Sequence, residues 1–346
     1  MSPTSPAPSL ADWLAAQPRF ELGHWPTPLQ PLDHLSDELG GPRIWLKRDD
    51  CTGLALGGNK TRKLEYLVGA ALQEGCDTVV TSGAVQSNHA RQTAAACARA
   101  GLACHLVLSR QVQRNHPDYE RGGNVLLDEL LGATLHTVNP DSDDAARIVG
   151  ELQARGGVSV VPAGGSNSIG ALGYVQAAVE LAAQATAAGI ELTRVYHASS
   201  SAGTQAGLLY GLAALTLATE LIGINVYHPD PQTLKDRVGT LLERMQRRFG
   251  DALPPPPLAA VQVNHAYFGE GYGQPTQETL DAIRLLARTE GVLFDPGYSG
   301  KALAGLIDQI AIGACDGCKD VVLLHTGGQP SLFVYDDALR SQPQRS

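Results

Sequence analysis

At 346 residues the chain has room for one large domain or two ordinary ones. Its net charge of −9 gives no basic footprint for nucleic acid or an acidic membrane surface, so an anionic small molecule would need locally placed cations and amides. A hydrophobic fraction of 43% beside 18% charged residues describes a soluble globular protein, and no apolar run approaches the length of a membrane span.

The chain opens with Met1 to Leu10, rich in Pro and Ser and without a basic-then-apolar leader, which makes the cytoplasm the default location. After an irregular stretch holding Pro26, Pro28 and Pro31, Arg43 to Arg48 reads as a strand. Arg62 to Glu74 reads as a helix with Leu64, Leu67, Val68, Ala71 and Leu72 on one face. Thr78 to Thr81 reads as a short buried strand, Asn88 to Arg99 as an alanine-rich helix, and Cys104 to Leu108 as a strand. Gly123 to Leu131 (helix), Thr134 to Val138 (strand), Ser142 to Ala154 (helix) and Val158 to Val161 (strand) complete a first series.

The rhythm resumes with a helix over Ala171 to Ala188, a strand over Arg194 to Ala198 and a helix over Thr204 to Thr216. A strand over Leu221 to Tyr227 leads to a long helix, Pro231 to Arg248, and then to a proline-rich loop from Leu253 to Leu258. Helices over Gln277 to Glu290 and Lys301 to Ile312 precede a last strand, Val321 to His325. Strands alternating with helices predict an α/β protein with two open parallel sheets, the two runs meeting near residues 160–170 and a cleft between them. Residues 1–53 and 168–346 are expected to form a large domain, and residues 54–167 a small one. Ligands in such folds bind beyond the carboxyl ends of the strands.

The six cysteines do not form a disulfide framework in a chain of this length. Cys51, Cys76, Cys97 and Cys104 read as small core residues, and the pair Cys315 and Cys318 falls in a helix-to-strand turn without the second pair a structural zinc would need.

Three segments look made to meet. The run Gly57-Gly58-Asn59-Lys60-Thr61-Arg62-Lys63 sets a lysine just after a double glycine, where the backbone comes close to a ligand without a side chain in the way. A P-loop fails here, because Asn59 displaces Lys60 from the position that motif requires. The plain alternative is a helix start with basic residues on a solvated face. Gln86-Ser87-Asn88-His89 leaves a buried strand and enters a helix. Ser87 or Asn88 is a helix N-cap there or, with the helix N–H groups, grips a substrate carboxylate. His89 is a carboxylate or leaving-group contact, or an ordinary first-turn residue.

Ser199-Ser200-Ser201-Ala202-Gly203-Thr204, at another strand-to-helix juncture, has the composition of a phosphate cup or of a serine-rich turn. Tyr272 and Tyr298 lie on glycine-rich loops, where a nearby cation that lowers a phenol's pKa would let it exchange protons with a substrate. Thr326 follows the last strand in His325-Thr326-Gly327-Gly328, as a ring-nitrogen partner or a turn residue. A lysine on a glycine turn facing a phosphate cup suggests pyridoxal phosphate held on Lys60 as a Schiff base.

With these segments assembled, the chain resembles the D-cysteine desulfhydrase and 1-aminocyclopropane-1-carboxylate deaminase family, pyridoxal-phosphate enzymes of the tryptophan synthase β-like fold (fold type II). The likeness runs from about Pro26 through Tyr335. Besides the runs above, it is carried by Lys47-Arg48-Asp49-Asp50, Gly122-Gly123-Asn124, Gly164-Gly165-Ser166, Gly271-Tyr272-Gly273 and Tyr298-Ser299-Gly300-Lys301. The resemblance implies that Lys60 holds the cofactor and shuttles protons, and that Asn59 contacts its ring hydroxyl. Lys63, Ser201, Ala202, Gly203 and Thr204 would bind its phosphate, and Thr326 would pair with the pyridine nitrogen. Gln86, Ser87, Asn88 and His89 would hold the substrate, and Tyr272 and Tyr298 would face the reacting carbons.

It also implies a small amino-acid substrate, β-elimination to pyruvate and ammonia, and a homodimer. Two departures stand out. Ser299 stands where the cyclopropane deaminases carry a glutamate, which counts against ring opening, and Gly297 stands where the family usually has valine, which would loosen or reshape the loop of Tyr298. Two lyases then stay open: one acting on D-cysteine with release of sulfide, which is preferred as the broader family label, and one acting on L-cysteate with release of sulfite. For a sulfonate, His265, Tyr267, Arg121 and His89 are the candidate donors. A non-catalytic small-molecule binding protein on the same fold is the reading from another class, and the presence of Lys60 argues against it.

Overall fold

The computed structural model describes residues 9–114, 116–250 and 254–340, so residues 1–8 of the opening segment and Leu253 of the proline-rich loop lie outside the described residues. Ten strands form two sheets: β1 Leu29–Pro31, β2 Arg43–Arg48, β3 Thr78–Ala84, β4 Ala103–Ser109, β5 Thr134–Val138, β6 Val158–Val161, β7 Arg194–Ser199, β8 Glu220–Asn225, β9 Gln262–Asn264 and β10 Asp320–His325. The larger sheet runs β1-β2-β10-β7-β8-β9 and the smaller β5-β4-β3-β6. Every pairing is parallel except that of β1 with β2. Parallel strands joined by helices are covered on both faces. Accordingly, all six residues of β10 are buried, with β2 and β7 as its neighbours.

The alternation of strands and helices expected from the sequence is present, with most boundaries shifted by a residue or two. The structure adds helices Leu10–Ala15, Asp33–Leu39, Pro117–Arg121 and Asp336–Arg340, and strands β1 and β9. These pieces are too short for periodicity to declare itself, and β1 and β9 are the edges of the larger sheet. Leu72 is exposed, off the face shared by Leu64, Leu67, Val68 and Ala71. Of the cysteines assigned to the core, Cys97 and Cys104 are buried, but Cys51, at the end of a 3-10 turn, is exposed, and Cys76, in the connection before β3, is half-buried. Cys315 and Cys318 lie in the turn before β10, where Cys318 N–H donates to the Cys315 carbonyl at 3.0 Å.

The helix Lys60–Gln73 overturns the plain alternative of a solvated basic face. It begins at Lys60 itself and packs against helices Asn88–Ala100 and Leu172–Ala188, so Lys60, Arg62, Lys63 and Glu65 are all buried. Buried charges need partners. Arg62 finds them on three other segments: Nε and Nη2 reach the Asp49 carboxylate at 2.9 and 2.8 Å, and Nη1 and Nη2 reach Glu180 at 3.0 and 2.9 Å. Nη2 also donates to the Thr27 hydroxyl at 2.9 Å, and Tyr174 donates to Asp49 at 2.6 Å. Burial disfavours charge on Asp49, but the Arg62 guanidinium outweighs it and holds the carboxyl below the usual range.

The entry to this helix is fixed by glycine. Gly57 has φ +69, and a Cβ there would stand 1.7 Å from the Asp50 carbonyl oxygen. No other residue fits that turn.

Asp49→Ala leaves Arg62 buried with one of its two carboxylates removed. The expected loss of unfolding free energy is about 3 kcal/mol or more, read from urea denaturation. A loss below about 1 kcal/mol would mean that Glu180 alone satisfies the guanidinium.

Candidate functional site

A cavity of about 330 Å³ opens beyond the carboxyl ends of β3, β7 and β10, the position at which parallel sheets bind small molecules. Its wall includes Asn59 and Lys60 from the glycine turn, Gln86, Ser87, Asn88 and His89 after β3, and Ser201 after β7. Thr326 after β10, Tyr272 and Tyr298 also line it, so residues far apart in the sequence are brought together as expected. Lys63, Ala202, Gly203 and Thr204 do not line the cavity but stand immediately behind that wall.

Lys60 is buried, and desolvation lowers its pKa to about 8. Lys63, one turn further, is wholly buried, and desolvation together with Lys60 pulls its pKa well below the ordinary value. Its ammonium donates to the Gly164 carbonyl at 3.0 Å and to the Ser166 hydroxyl at 3.3 Å. Neither lysine forms an ion pair among the described residues.

Beside them begins the helix Gly203–Ala214, entered through Ala202 at φ +73 without a cap from that residue, its first N–H, Gly203, donating to Ser166 Oγ at 3.1 Å. A Cβ at Gly203 would lie 2.6 Å from Ser166 Oγ and 2.9 Å from Lys63 Nζ, so a side chain would fill this cradle. Two buried lysines without a carboxylate partner among the described residues, beside a helix start, favour an anion that would restore their charge. The Asn59 amide donates to Thr204 Oγ1 at 3.2 Å, and Asn59 N–H donates to the Thr326 carbonyl at 3.0 Å, which ties the glycine turn to both strand ends. The Thr326 hydroxyl is buried without a partner among the described residues.

Across the cavity, Ser87 caps the helix Asn88–Ala100 by accepting from Ala90 N–H at 3.2 Å, and it lines the cavity as well. The N-cap reading of that serine holds, and the same geometry sets it on the cavity wall. Gln86 is fully engaged in bracing the wall. Its amide donates to the carbonyls of Tyr119 and Gly122 at 2.7 and 2.9 Å, and its oxygen accepts from Asn124 N–H at 2.9 Å. His89 is buried, and desolvation followed by the charges of Lys60 and Lys63 keeps its pKa well below the ordinary value, so the ring is neutral. The Thr81 hydroxyl donates to the Val161 carbonyl at 2.8 Å, so His89 Nε2 is the donor in its 2.8 Å contact with Thr81. Nδ1 is left as an acceptor without a partner, which does not suit a carboxylate.

The expectation that a cation lowers a tyrosine pKa here is overturned. Burial pushes both Tyr272 and Tyr298 well above the ordinary phenol range, and Asp295 adds to the rise. Both phenols stay protonated at neutral pH and can donate. Asp295, itself buried, accepts from Tyr298 N–H and Ser299 N–H, each at 2.7 Å, and from the Ser299 hydroxyl. Ser299 lies outside the lining. Gly297 faces the loop of Tyr272, where a Cβ would come within 3.3 Å of Gly273 Cα and 3.5 Å of the Tyr335 hydroxyl. Its lack of a side chain makes room between the two tyrosine loops.

Of the sulfonate donors considered, only His89 lines the cavity. Arg121 is exposed at the end of its helix, Tyr267 donates to Asp308 at 2.6 Å, and His265 meets Asn225 at 2.8 Å and stacks on Phe268. Sequence reasoning passed over Tyr119, Tyr227, Arg237, Asp295 and Tyr335, all in the lining. Asp295 was open to view in Asp295-Pro296-Gly297-Tyr298, whereas Arg237 sits within the long helix Pro231–Phe249, outside every motif that pointed to a site.

Comparison with known proteins agrees with this geometry. A family described as pyridoxal-phosphate dependent enzymes matches residues 20–327. A protein of Serratia proteamaculans (strain 568) named D-cysteine desulfhydrase is 44% identical over 331 residues, covering 94% of this chain and 98% of its own. A crystal structure described as an ACC deaminase homologue superposes with a TM-score of 0.85 at 37% identity, covering 96% of this chain and 98% of its own. A T.th. threonine deaminase, at 22% identity and a TM-score of 0.63 over 93% of this chain and 98% of its own, shares the fold. The buried lysine pair, the helix start beside it and the unpartnered Thr326 hydroxyl fit a phosphorylated pyridine aldehyde, and the chain belongs to the pyridoxal-phosphate dependent enzymes, with the tryptophan synthase β-like fold.

Proposed function

We propose that this enzyme is a D-cysteine desulfhydrase, converting D-cysteine to pyruvate, sulfide and ammonia. The observation that carries the reading is the pairing of Lys60, with a pKa near 8, with two protonated tyrosines in one cavity. The 44% identity to a protein named for that activity supports it. When bound through Lys60, pyridoxal phosphate supplies an electron sink that makes loss of the α-proton and of a β-substituent feasible.

The rest falls to the chain. Lys60 holds the cofactor aldehyde and, once free, carries the α-proton, since a group with a pKa near 8 changes charge readily near neutrality. Lys63, Ser201, Ala202, Gly203 and Thr204 receive the phosphate, Asn59 the ring hydroxyl and Thr326 the pyridine nitrogen. Ser87 and Asn88 bind the substrate carboxylate, while Gln86 positions their turn and His89 packs beneath it. Tyr298 and Tyr272 donate a proton to the departing sulfur. On this reading residues 54–167 are a small domain carrying Lys60 against a large domain of residues 1–53 and 168–346. The enzyme is a cytoplasmic homodimer.

One observation favours a second reading, L-cysteate sulfo-lyase. Arg237 is the single guanidinium in the lining and forms no ion pair among the described residues. A guanidinium at the rim suits a sulfonate leaving group.

Two experiments test these readings. Purified enzyme is offered D-cysteine, L-cysteine, L-cysteate and 1-aminocyclopropane-1-carboxylate separately, with pyruvate, sulfide and sulfite followed together. Pyruvate with sulfide from D-cysteine is the expected outcome. Pyruvate with sulfite from L-cysteate would replace it with the sulfo-lyase, and Arg237→Gln should then depress L-cysteate turnover selectively.

The second measures the rate at which apoenzyme takes up pyridoxal phosphate against pH, corrected with a simple amine. Only the neutral amine attacks an aldehyde, and a pKa near 8 leaves about a tenth of Lys60 neutral at pH 7 and about a hundredth at pH 6. The rate should rise about tenfold between those values and level off above pH 8. A continued rise toward pH 10 would mean that Lys60 titrates like an exposed lysine.

A further inference from the structure

Lys301 is wholly buried, yet its ammonium forms no ion pair among the described residues. Nζ donates instead to two backbone carbonyls, Phe268 at 2.6 Å and Gly271 at 2.7 Å, and stands 5.6 Å from the centre of the Phe268 ring. Burial lowers its pKa to about 8, against the opposing pull of Asp295, so it remains largely charged at neutral pH.

Those two carbonyls belong to the loop that delivers Tyr272 to the cavity. Gly269 and Gly271 lie within it at positive φ, +67 and +149, so its backbone has little stiffness of its own. Beyond Tyr272 the loop is caught again, by Tyr335, whose hydroxyl donates to the Gly273 carbonyl at 2.6 Å. Lys301 also lies in the first turn of the helix Ser299–Ala311, which follows Tyr298 directly. At the same helix start, Asp295 holds the backbone N–H of Tyr298.

We infer that Lys301 is a positioning residue that fixes Tyr272 relative to Tyr298, acting on the reaction through Tyr272 rather than by touching substrate. Lys301 is absent from the cavity wall, and its donors point at loop carbonyls alone. A charged donor shared between two buried carbonyls is stronger than a neutral one, and its removal leaves both carbonyls unsatisfied. The inference rests on the catalytic use of Tyr272 proposed above.

The test uses holoenzyme carrying Lys301→Met, Tyr272→Phe or both, with Lys301→Gln in reserve should the methionine variant fail to fold. Amide hydrogen exchange over 268–276 should quicken at least about tenfold in the Lys301 variant, with exchange in β10 and the bound-cofactor absorbance unchanged. With the productive substrate, kcat should fall about tenfold or more and KM by less than about threefold either way. In the Tyr272→Phe background the same change should cost less than about twofold, because the group it positions is already gone.

Unchanged exchange over 268–276 would overturn the inference, as would equal fold-losses with and without Tyr272. Failure of wild-type enzyme to release pyruvate from D-cysteine would remove the substrate reading, and the exchange result would still decide the clamp.

Discussion

The buried guanidinium of Arg62 is the constraint from which the rest of the site follows. A charge with almost no exposure must be neutralised at short range, and Arg62 takes its partners from Asp49, Glu180 and Thr27, at sequence separations of 13, 118 and 35 residues. One side chain thus pins the start of Lys60–Gln73 to β2's end and to the helix Leu172–Ala188. Glu65, on the same helix, does the same for the N-terminal segment, accepting from Leu22, Gly23 and Trp25 at 2.9, 3.0 and 2.7 Å. The approach leaves no space at Gly57, which explains a glycine there better than any need for flexibility.

Against that compensated cation, the two uncompensated ones gain meaning. Lys60 and Lys63 lie on the same helix within four residues of Arg62, equally removed from water, and no acid meets them. Folding leaves such a deficit only where something else supplies the charge. The cradle of Ser166 and Gly203 is where it would arrive. The helix therefore divides its cations between holding the fold and holding a ligand, and the sequence spacing Lys60, Arg62, Lys63 is the record of that division.

Much of this was legible because the constraints were local. Thr134–Val138, Val158–Val161 and Gln277–Glu290 were placed to the residue, since a short β-branched run between glycine and proline turns and an amphipathic helix each declare themselves within a few side chains. The glycine and hydroxyl turns were legible for the same reason. What sequence could not give was the partner brought from elsewhere. Gln86 looked free for substrate until Tyr119, Gly122 and Asn124 took its polar atoms. The sign of the field on the tyrosines depended on Asp295 being buried against them, and Lys301 looked like any helix lysine until its reach to Phe268 and Gly271 was known.

The proposal of Lys60 as the base is supported by the state of its neighbours in the cavity. Tyr272 and Tyr298 hold their protons too tightly to accept another role at neutral pH. Asp295 is occupied by two backbone N–H groups and a hydroxyl, and burial raises its pKa as well. His89 has Nδ1 free, but burial and the charges of Lys60 and Lys63 hold its pKa well below the ordinary value, so it accepts a proton poorly. Arg237 does not deprotonate. Lys60, buried enough to shed its proton near neutrality, shares the cavity with two phenols able to donate, and Lys63 on the same helix reaches the cradle. A base and proton donors in one cavity suit β-elimination, because an α-proton has to be accepted and protonation assists the departure of the β-substituent.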